Sequence, residues 1–232
     1  MMICQEKLRG QTEMVRAMQS ATIVNMYQQL RVWLVHPDEE MCAAFQRRFD
    51  GLPRFRVVHG VFEDLAPHDC FITAANSFGI MTAGIDAAVV RFFGPQLMEQ
   101  VQLRVMDEYL GEQPVGTAFI HPTKHSDIPF VCHAPTMRVP GCIEGSDKVY
   151  AATWAAFLAI NQHNVVDERK IQTIAFPAFG AGFGGVPFDE VARQMSVAYR
   201  HYLNPPHRLD WDWVAGRQKA IFYDGKKQVV TR

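Results

Sequence analysis

The stretch FITAANSFGIMTAGIDAAVVRFFG, residues 71–94, changes character twice, and the interpretation of the whole chain starts from it. It opens on a short apolar run of the kind found in strands buried on both faces. It closes on an apolar run with helical spacing that ends at Gly94. A polar loop dotted with glycine joins the two runs. The stretch therefore predicts a strand, a loop and a helix in succession, an arrangement that places ligands at the loop.

Strand-like and helix-like segments alternate on both sides of this unit. Strands are predicted over 30–35, 55–62, 69–75, 116–122, 128–135, 171–180 and 217–224, and helices over 38–49, 85–94, 95–111, 146–163 and 187–203. The alternation predicts an α/β fold, a three-layer α/β/α sandwich around a mixed, mostly parallel central sheet. We expect one domain over residues 30–232, with an irregular connection at 204–216 and an N-terminal extension at 1–29.

Composition narrows the class of protein. The formal net charge of the 232 residues is −1, so no general basic field favours nucleic acid, and no sequence-specific nucleic-acid partner is expected. The five cysteines are odd in number and contain no C-x-x-C pair, which favours a reducing compartment. No apolar run approaches the roughly 18 residues of a membrane helix. The sequence predicts a cytoplasmic protein without a membrane partner and leaves its oligomeric state open.

A second loop, PAFGAGFGGVP at residues 177–187, also follows a buried strand and leads into a helix. Its glycines stand at 180, 182, 184 and 185, and glycine lets backbone N–H groups approach a ligand closely. The positive end of a helix dipole adds to the attraction for anions. Either loop alone is more simply a tight turn. Two such loops at equivalent topological positions predict a phosphate or diphosphate ligand.

The two loops together resemble those of the macro domain family. Residues 73–86, TAANSFGIMTAGID, have the length of that family's N-A-A-N-x-x-L-x-G-G-G-G-V-D loop, with Asn76, Gly84 and Asp86 on matching positions. VCHAP at 131–135 is similar to the family's I-H-x-V-G-P strand, and FPAFGAGFGGVP at 176–187 to its F-P-A-x-x-T-G-x-x-G-x-P. The resemblance spans roughly residues 30–203.

The resemblance implies a site for ADP-ribose or an ADP-ribosylated substrate, with no metal and no cofactor. Asp86 would activate a water and Asn76 would bind the distal ribose, in hydrolysis of an ADP-ribosyl linkage. The ligand-binding residues would be Val61, Phe62, Ala75, Ala83, Gly84, Ile85, Phe179, Gly180, Ala181, Gly182, Phe183 and Gly184. The alternatives are a module that binds ADP-ribose without turnover, and an interaction domain that has lost the pocket. Phe179 and Phe183 are either ribose walls or core residues.

The chain departs from the family pattern at the expected adenine site and in the first loop. Val61 stands where the family has an aspartate that accepts a hydrogen bond from the adenine amino group, so adenine selectivity should weaken unless Glu63 or Asp64 substitutes. Met81 and its two successors replace three glycines, which predicts a stiffer loop and a bulkier opening.

Other residues with reactive or metal-binding side chains give a weaker indication of a functional site. His121, His125, Cys132, His133 and Cys142 raise the possibility of a metal site, but Cys132 and His133 are adjacent in a predicted strand and so face opposite sides of the sheet. Neither a metal nor a Cys132–His133 catalytic pair is therefore expected. Arg138 lies in a loop near the expected site, where it either contacts phosphate or remains in solvent.

Overall fold

The computed structural model describes residues 29–225. Its strands are β1 Arg31–His36, β2 Phe55–His59, β3 Cys70–Asn76, β4 Phe119–Pro122, β5 Phe130–Met137 and β6 Thr173–Pro177. Its α-helices are α1 Glu39–Phe49, α2 Gly84–Phe93, α3 Gln96–Tyr109, α4 Lys148–Val166, α5 Phe188–Leu203 and α6 Trp211–Ile221.

The six strands form one mixed sheet in the order β2-β1-β6-β3-β5-β4. Every neighbouring pair is parallel except β4 and β5. This confirms the predicted mostly parallel sheet. The strands that precede the two glycine loops, β3 and β6, are neighbours near the centre of the sheet. Their carboxyl ends therefore meet at the same edge.

Helices cover both faces of the sheet, which confirms the three-layer sandwich. On one face, Phe45 of α1, Phe157 of α4 and Tyr199 of α5 belong to a large buried cluster. On the other face, Val89 of α2 and Val101 of α3 belong to a second buried cluster. The sheet is thus buried on both sides, as its nearly continuous apolar strands require.

Capping residues fix where two of the helices begin and end. The Asp38 carboxylate accepts hydrogen bonds from the amides of Glu40 and Met41, at 2.7 and 3.4 Å, and so starts α1. Gly94 ends α2 with a φ of 96°, and its amide donates to the carbonyl of Val90. A positive φ is readily available only to glycine, so both boundaries follow from the sequence.

The C-terminal region differs from its prediction. The strand predicted over 217–224 is wrong, because these residues belong to α6 and to a short 3-10 turn, Tyr223–Gly225. Asp210 caps α6 by accepting the Trp213 amide at 2.9 Å, and the Arg217 guanidinium stacks over the rings of Trp154 and Trp213, at 4.5 and 5.2 Å. These interactions outweigh the strand propensity of the segment. The helix also replaces the latter part of the irregular connection predicted over 204–216.

The strand predicted over 55–62 ends at His59, and Phe62 begins a 3-10 turn, Phe62–Asp64. The proposed extension, residues 1–29, lies outside the described residues except for its last position. Over residues 29–225, the helices are all too short or too polar to span a membrane.

Candidate functional site

The two glycine loops lie side by side and line one cavity of about 490 Å³. The cavity runs along the carboxyl edge of the sheet and follows the order of the strands. Its walls come from residues 60–63 after β2, 35–37 at the end of β1, 177–178 and 180–184 at the end of β6, 74–76, 78, 80 and 82–86 at the end of β3, and 136–137 and 139–140 at the end of β5, with Ala88 and Arg91 of α2. Its volume lies within the roughly 300–1,000 Å³ typical of small-molecule sites.

All but one of the predicted site residues lie on this wall, and the exception is Phe179. The Phe179 side chain is fully buried and packs edge-on against Phe176, with ring centroids 5.5 Å apart. It is therefore a core residue, the second of the two alternatives that the sequence left open, and not part of the cavity wall. Phe183 lies in the cavity wall and is 62% exposed. Its ring is 3.7 Å from where a Cβ on Gly84 would stand, so it bridges the two loops.

The second loop is held together through its backbone. A Cβ on Gly184 would lie 2.5 Å from the carbonyl oxygen of Gly180, so these two residues pack main chain against main chain. The Gly184 carbonyl accepts the amide of Ile143 at 2.9 Å. Among residues 29–225, no acceptor pairs with the amide N–H groups of Gly182, Phe183 and Gly184. Successive free amides in a loop are the donors from which anion-binding concavities are built.

The first turn of α2 adds a second group of free donors. Gly84 begins the helix with a φ of 56°, and the residue before it, Ala83, has no side chain that could cap the helix. Within the described part of the chain, the amides of Gly84, Ile85 and Asp86 have no acceptor. Free N–H groups and the helix dipole together favour an anion at this point.

Asn76 uses its side chain to shape the first loop. Its Oδ1 accepts the amides of Phe78 and Ile80 at 3.1 and 3.3 Å, and its Nδ2 donates to the carbonyl of Ile80 at 2.7 Å. Since an Asn side chain has two donor hydrogens, one N–H remains for a ligand. The side chain therefore stabilises the turn and, in a residue that lines the cavity, keeps one donor hydrogen unpaired among the described residues.

Asp86 is the unusual carboxylate of the site. It lines the cavity but is only 5% exposed, and its Oδ1 has no hydrogen-bond partner among the described residues. Burial disfavours the charged form and raises the pKa of Asp86 to about 7. A group with this pKa exchanges a proton readily at neutral pH, as a general acid or base must.

Met81 adds no bulk at the opening of the cavity, contrary to expectation. Its side chain is 1% exposed and belongs to the apolar cluster under α2 and α3. Its amide donates to the Met98 sulfur at 3.4 Å, which anchors the loop to α3. Phe78 and Ile80 line the cavity instead, and Ile80 is 51% exposed. The directions of the Phe78, Ile80 and Met81 side chains follow from the turn that the Asn76 hydrogen bonds hold in place. The alternation of apolar and polar residues along the sequence does not reveal them.

Among the cavity residues that sequence reasoning missed are two with basic side chains, His36 and Arg91. The His36 Nδ1 accepts the amide of Asp38 at 3.1 Å, so the neutral ring carries its proton on Nε2, and burial lowers its pKa. The Arg91 guanidinium lies 4.0 Å from the Glu63 carboxylate, at the end of the cavity nearest β2. The sequence signal for His36 is its position at the end of a predicted strand, where ligands bind in such folds. The structure adds that this strand, β1, lies beside β6.

The remaining candidates lie away from the cavity. Arg138 binds the Glu112 carboxylate through two hydrogen bonds of 2.6 and 2.8 Å. His133 is buried, its Nδ1 pairs with Gln113 at 2.6 Å, and burial lowers its pKa to about 3. Cys132 faces the opposite side of the sheet. In the region from 29 to 225, no group of three potential metal ligands comes together.

Comparisons with known proteins agree with this geometry. The model of the macro domain family matches residues 72–195, more than half of the chain. An uncharacterized protein of Aquifex aeolicus is 30% identical over 134 residues, which are 58% of this chain and 74% of the relative. A macro domain-containing protein of Caldanaerobacter subterraneus is 31% identical over 135 residues, 58% of this chain and 73% of the relative.

Among solved structures, the Oceanobacillus iheyensis macrodomain with ADP is similar in fold. The two superpose with a TM-score of 0.50 and 21% identity, over 59% of this chain and 70% of the other. Both glycine loops, the whole of β6 and all but the first two residues of β3 fall within the residues that the family model matches. The chain therefore belongs to the macro domain family.

Proposed function

We propose that the cavity binds ADP-ribose and that Asp86 promotes hydrolysis of an ADP-ribosyl linkage. The observation that carries the proposal is the Asp86 carboxylate, which is only 5% exposed and has an unpartnered oxygen, in a cavity also lined by residues with free amides. A buried, unpaired carboxylate is costly for a fold, and such groups concentrate at functional sites.

The amides of the two loops favour a diphosphate. The residues that carry free amides in the second loop and in the first turn of α2 line the same cavity, and amide donors bind a diphosphate without a Lys or Arg. The Oceanobacillus iheyensis macrodomain, which has a similar fold, was solved with ADP. ADP contains the adenosine and the diphosphate of ADP-ribose.

In the proposed reaction, the distal ribose lies beyond the diphosphate, toward Asn76 and Asp86. The ionised Asp86 takes a proton from a water as the water oxygen forms a bond to the anomeric carbon. The bond from that carbon to the modified group breaks, and the leaving atom keeps the bonding electrons and gains a proton. The pKa of Asp86, raised to about 7 by burial, suits this role near neutral pH.

A reader module that binds ADP-ribose without turnover is the second candidate. The hydrogen bonds of Asn76 favour it. The side-chain oxygen of Asn76 already accepts two loop amides, and its side-chain nitrogen has a single N–H left for the ribose. Both candidate functions have the same ligand, ADP-ribose.

We further propose that the protein acts in the cytoplasm and has no sequence-specific nucleic-acid partner.

Two measurements test these proposals. Calorimetric titration with ADP-ribose, AMP and NAD tests binding, and the absence of binding by ADP-ribose would reject both candidates. Release of ADP-ribose from a mono-ADP-ribosylated protein and from a modified nucleic-acid end tests turnover. Binding without release from either substrate would favour the reader.

A further inference from the structure

The second glycine loop rests on a neighbouring segment, the backing loop, which we define as residues 141–147 between β5 and α4. The Ile143 amide of the backing loop donates to the Gly184 carbonyl at 2.9 Å. A Cβ on Gly180 would lie 3.1 Å from the Ile143 side chain and 2.9 Å from that of Val149, in the first turn of α4. The position of the second glycine loop therefore depends on the backing loop and on the start of α4.

We propose that Gln194, a residue of α5 outside the cavity wall, is a positioning residue for the second glycine loop and acts through the backing loop. This inference rests on the proposed binding of ADP-ribose. The Gln194 side chain is fully buried. Its Nε2 donates to the Ser146 carbonyl at 2.9 Å and to the Glu190 carboxylate at 2.8 Å, and its Oε1 accepts the Tyr150 amide at 2.9 Å. Both donor hydrogens and the acceptor of the amide are thus in use.

Two of these hydrogen bonds fix the supports of the second glycine loop. The bond to Ser146 holds the end of the backing loop. The bond from Tyr150 holds the first turn of α4, where the N-cap residue, Asp147, makes no side-chain hydrogen bond to the helix. Gln194 therefore supplies, from another helix, an acceptor for one of the amides that a helix start leaves unpaired. One side chain ties both supports to α5.

The C-terminal turn holds Gln194 in place through Arg193 and Glu190. The Arg193 guanidinium donates to the two Glu190 oxygens at 2.6 and 2.7 Å, and to the carbonyls of Ala220 and Phe222, both at 2.8 Å. Glu190 is 8% exposed, and the same carboxylate accepts the Gln194 Nε2. A buried polar network with its partners in place is rigid. Residues 220–222 lie beyond residue 195, where the match to the family model ends, so this support comes from outside the matched region.

The test removes the hydrogen bonds of Gln194 without emptying the core. Gln194→Met has a similar volume and should weaken ADP-ribose binding roughly 5- to 20-fold in Kd, because the amides of the second glycine loop are no longer held in one arrangement. Tyr199→Phe is the matched control. Tyr199 is also fully buried on α5, but its hydroxyl donates to the carbonyl of Pro53, which does not line the cavity, at 2.9 Å. This variant should bind within about twofold of the parent, close to the resolution of such measurements.

Amide hydrogen exchange gives a second measurement that needs no ligand. The Ile143 amide is protected by its bond to the Gly184 carbonyl, so its exchange rate reports whether the backing loop and the second glycine loop stay together. Gln194→Met should speed this exchange by roughly tenfold at equal global stability in denaturant. Tyr199→Phe should leave it at the rate expected from its own global stability.

Arg193→Lys covers the case in which Gln194→Met does not fold. It keeps the positive charge but loses the planar fork that reaches Glu190 and the C-terminal carbonyls, and should weaken binding about two- to fivefold. Parental affinity in a folded Gln194→Met protein, or in Arg193→Lys where only that variant folds, overturns the positioning role and leaves ADP-ribose binding intact. An equal loss of affinity in Tyr199→Phe also overturns it. Failure of the parent to bind ADP-ribose overturns the proposed function, while faster Ile143 exchange in Gln194→Met alone still supports the positioning of the loop.

Discussion

The two loops that form the cavity hold their shape by different means. Side chains hold the first loop in shape. The Asn76 side chain forms hydrogen bonds with the backbone of Phe78 and Ile80, and the Met81 side chain is buried against α3. The backbone holds the second loop in shape, because Gly184 packs on Gly180 with no room for a Cβ. The first loop therefore tolerates side chains at 81–83 where the family pattern has glycine. The second loop tolerates none at 184.

The largest effect is expected where the second loop faces the ligand. A Cβ on Gly182 meets no atom within 4 Å, so a side chain there extends into open space at the cavity. Gly182→Glu should preserve the fold and reduce ADP-ribose binding below detection in calorimetry, because it adds bulk and negative charge beside the free amides. Gly182→Ala is the control and should bind nearly as the parent does. Unchanged affinity in a folded Gly182→Glu protein would show that the ligand lies elsewhere.

The next effect belongs to the helix that follows the first loop. If the protein is a hydrolase, Asp86→Ala should lower kcat by about 10²–10⁴-fold, the usual contribution of a positioned general base. Affinity for ADP-ribose should change far less, because the amides of both loops bind substrate and product alike. Single-turnover kinetics and titration separate the two quantities. Release that survives Asp86→Ala would mean that another group activates the water.

The burial of Asp86 also predicts a pH dependence of stability. Its pKa rises from 3.8 to about 7 in the folded protein, so between these values the folded state holds a proton that the unfolded state has lost. The free energy of unfolding should therefore fall as pH rises through this window and stay lower above it. Asp86→Asn removes this dependence, and its stability relative to the parent should increase by about 2–4 kcal/mol from pH 4 to pH 8.

Urea unfolding across that pH range measures the difference between the two proteins. Asp64→Asn is the control, since Asp64 is exposed and outside the cavity. Parallel stability curves for Asp86→Asn and the parent would contradict a buried, proton-binding Asp86.

The contrast between the loops explains how much the sequence could predict. The strands, the helices and the adjacency of the loops follow from apolar periodicity and from glycine, which act through local geometry. The side-chain directions within the loops do not. Phe179 and Phe183 are four residues apart in the same loop, yet one is buried and the other is 62% exposed. A loop has no repeating period, so its inward and outward positions depend on tertiary contacts.

Tertiary contacts also limit what the sequence predicts at the ends of the cavity and in the C-terminal region. Glu63 and Arg91 are 28 positions apart in sequence, and only the packing of the Phe62 turn beside α2 brings them together. The error at 217–224 has the same origin, because Arg217 stacks on Trp154, a residue of a distant helix. Local propensity decides an element only where such contacts are weak.

A direct measure of the difference between the loops is the tolerance of each glycine for a methyl group. Gly184→Ala should lower the free energy of unfolding by about 1–3 kcal/mol, the usual cost of forcing atoms into a filled space. Gly182→Ala should stay within about 0.5 kcal/mol of the parent. Chemical denaturation of the two variants gives the comparison. Equal stabilities would contradict the main-chain contact between Gly184 and Gly180, whose carbonyl oxygen lies 2.5 Å from the added Cβ position.

The smallest effect is expected from Asn76→Ala, because it loosens the first loop without removing a charge. The variant loses the hydrogen bonds to Phe78 and Ile80, so the loop should no longer hold one conformation beside the cavity. A net loss of about 1–2 kcal/mol corresponds to roughly tenfold weaker binding of ADP-ribose. Turnover, where present, should fall by a similar factor, since one disordered loop impairs both binding and reaction. A large loss of kcat with unchanged affinity would instead mean that the remaining Asn76 N–H acts on the reacting ribose in the transition state.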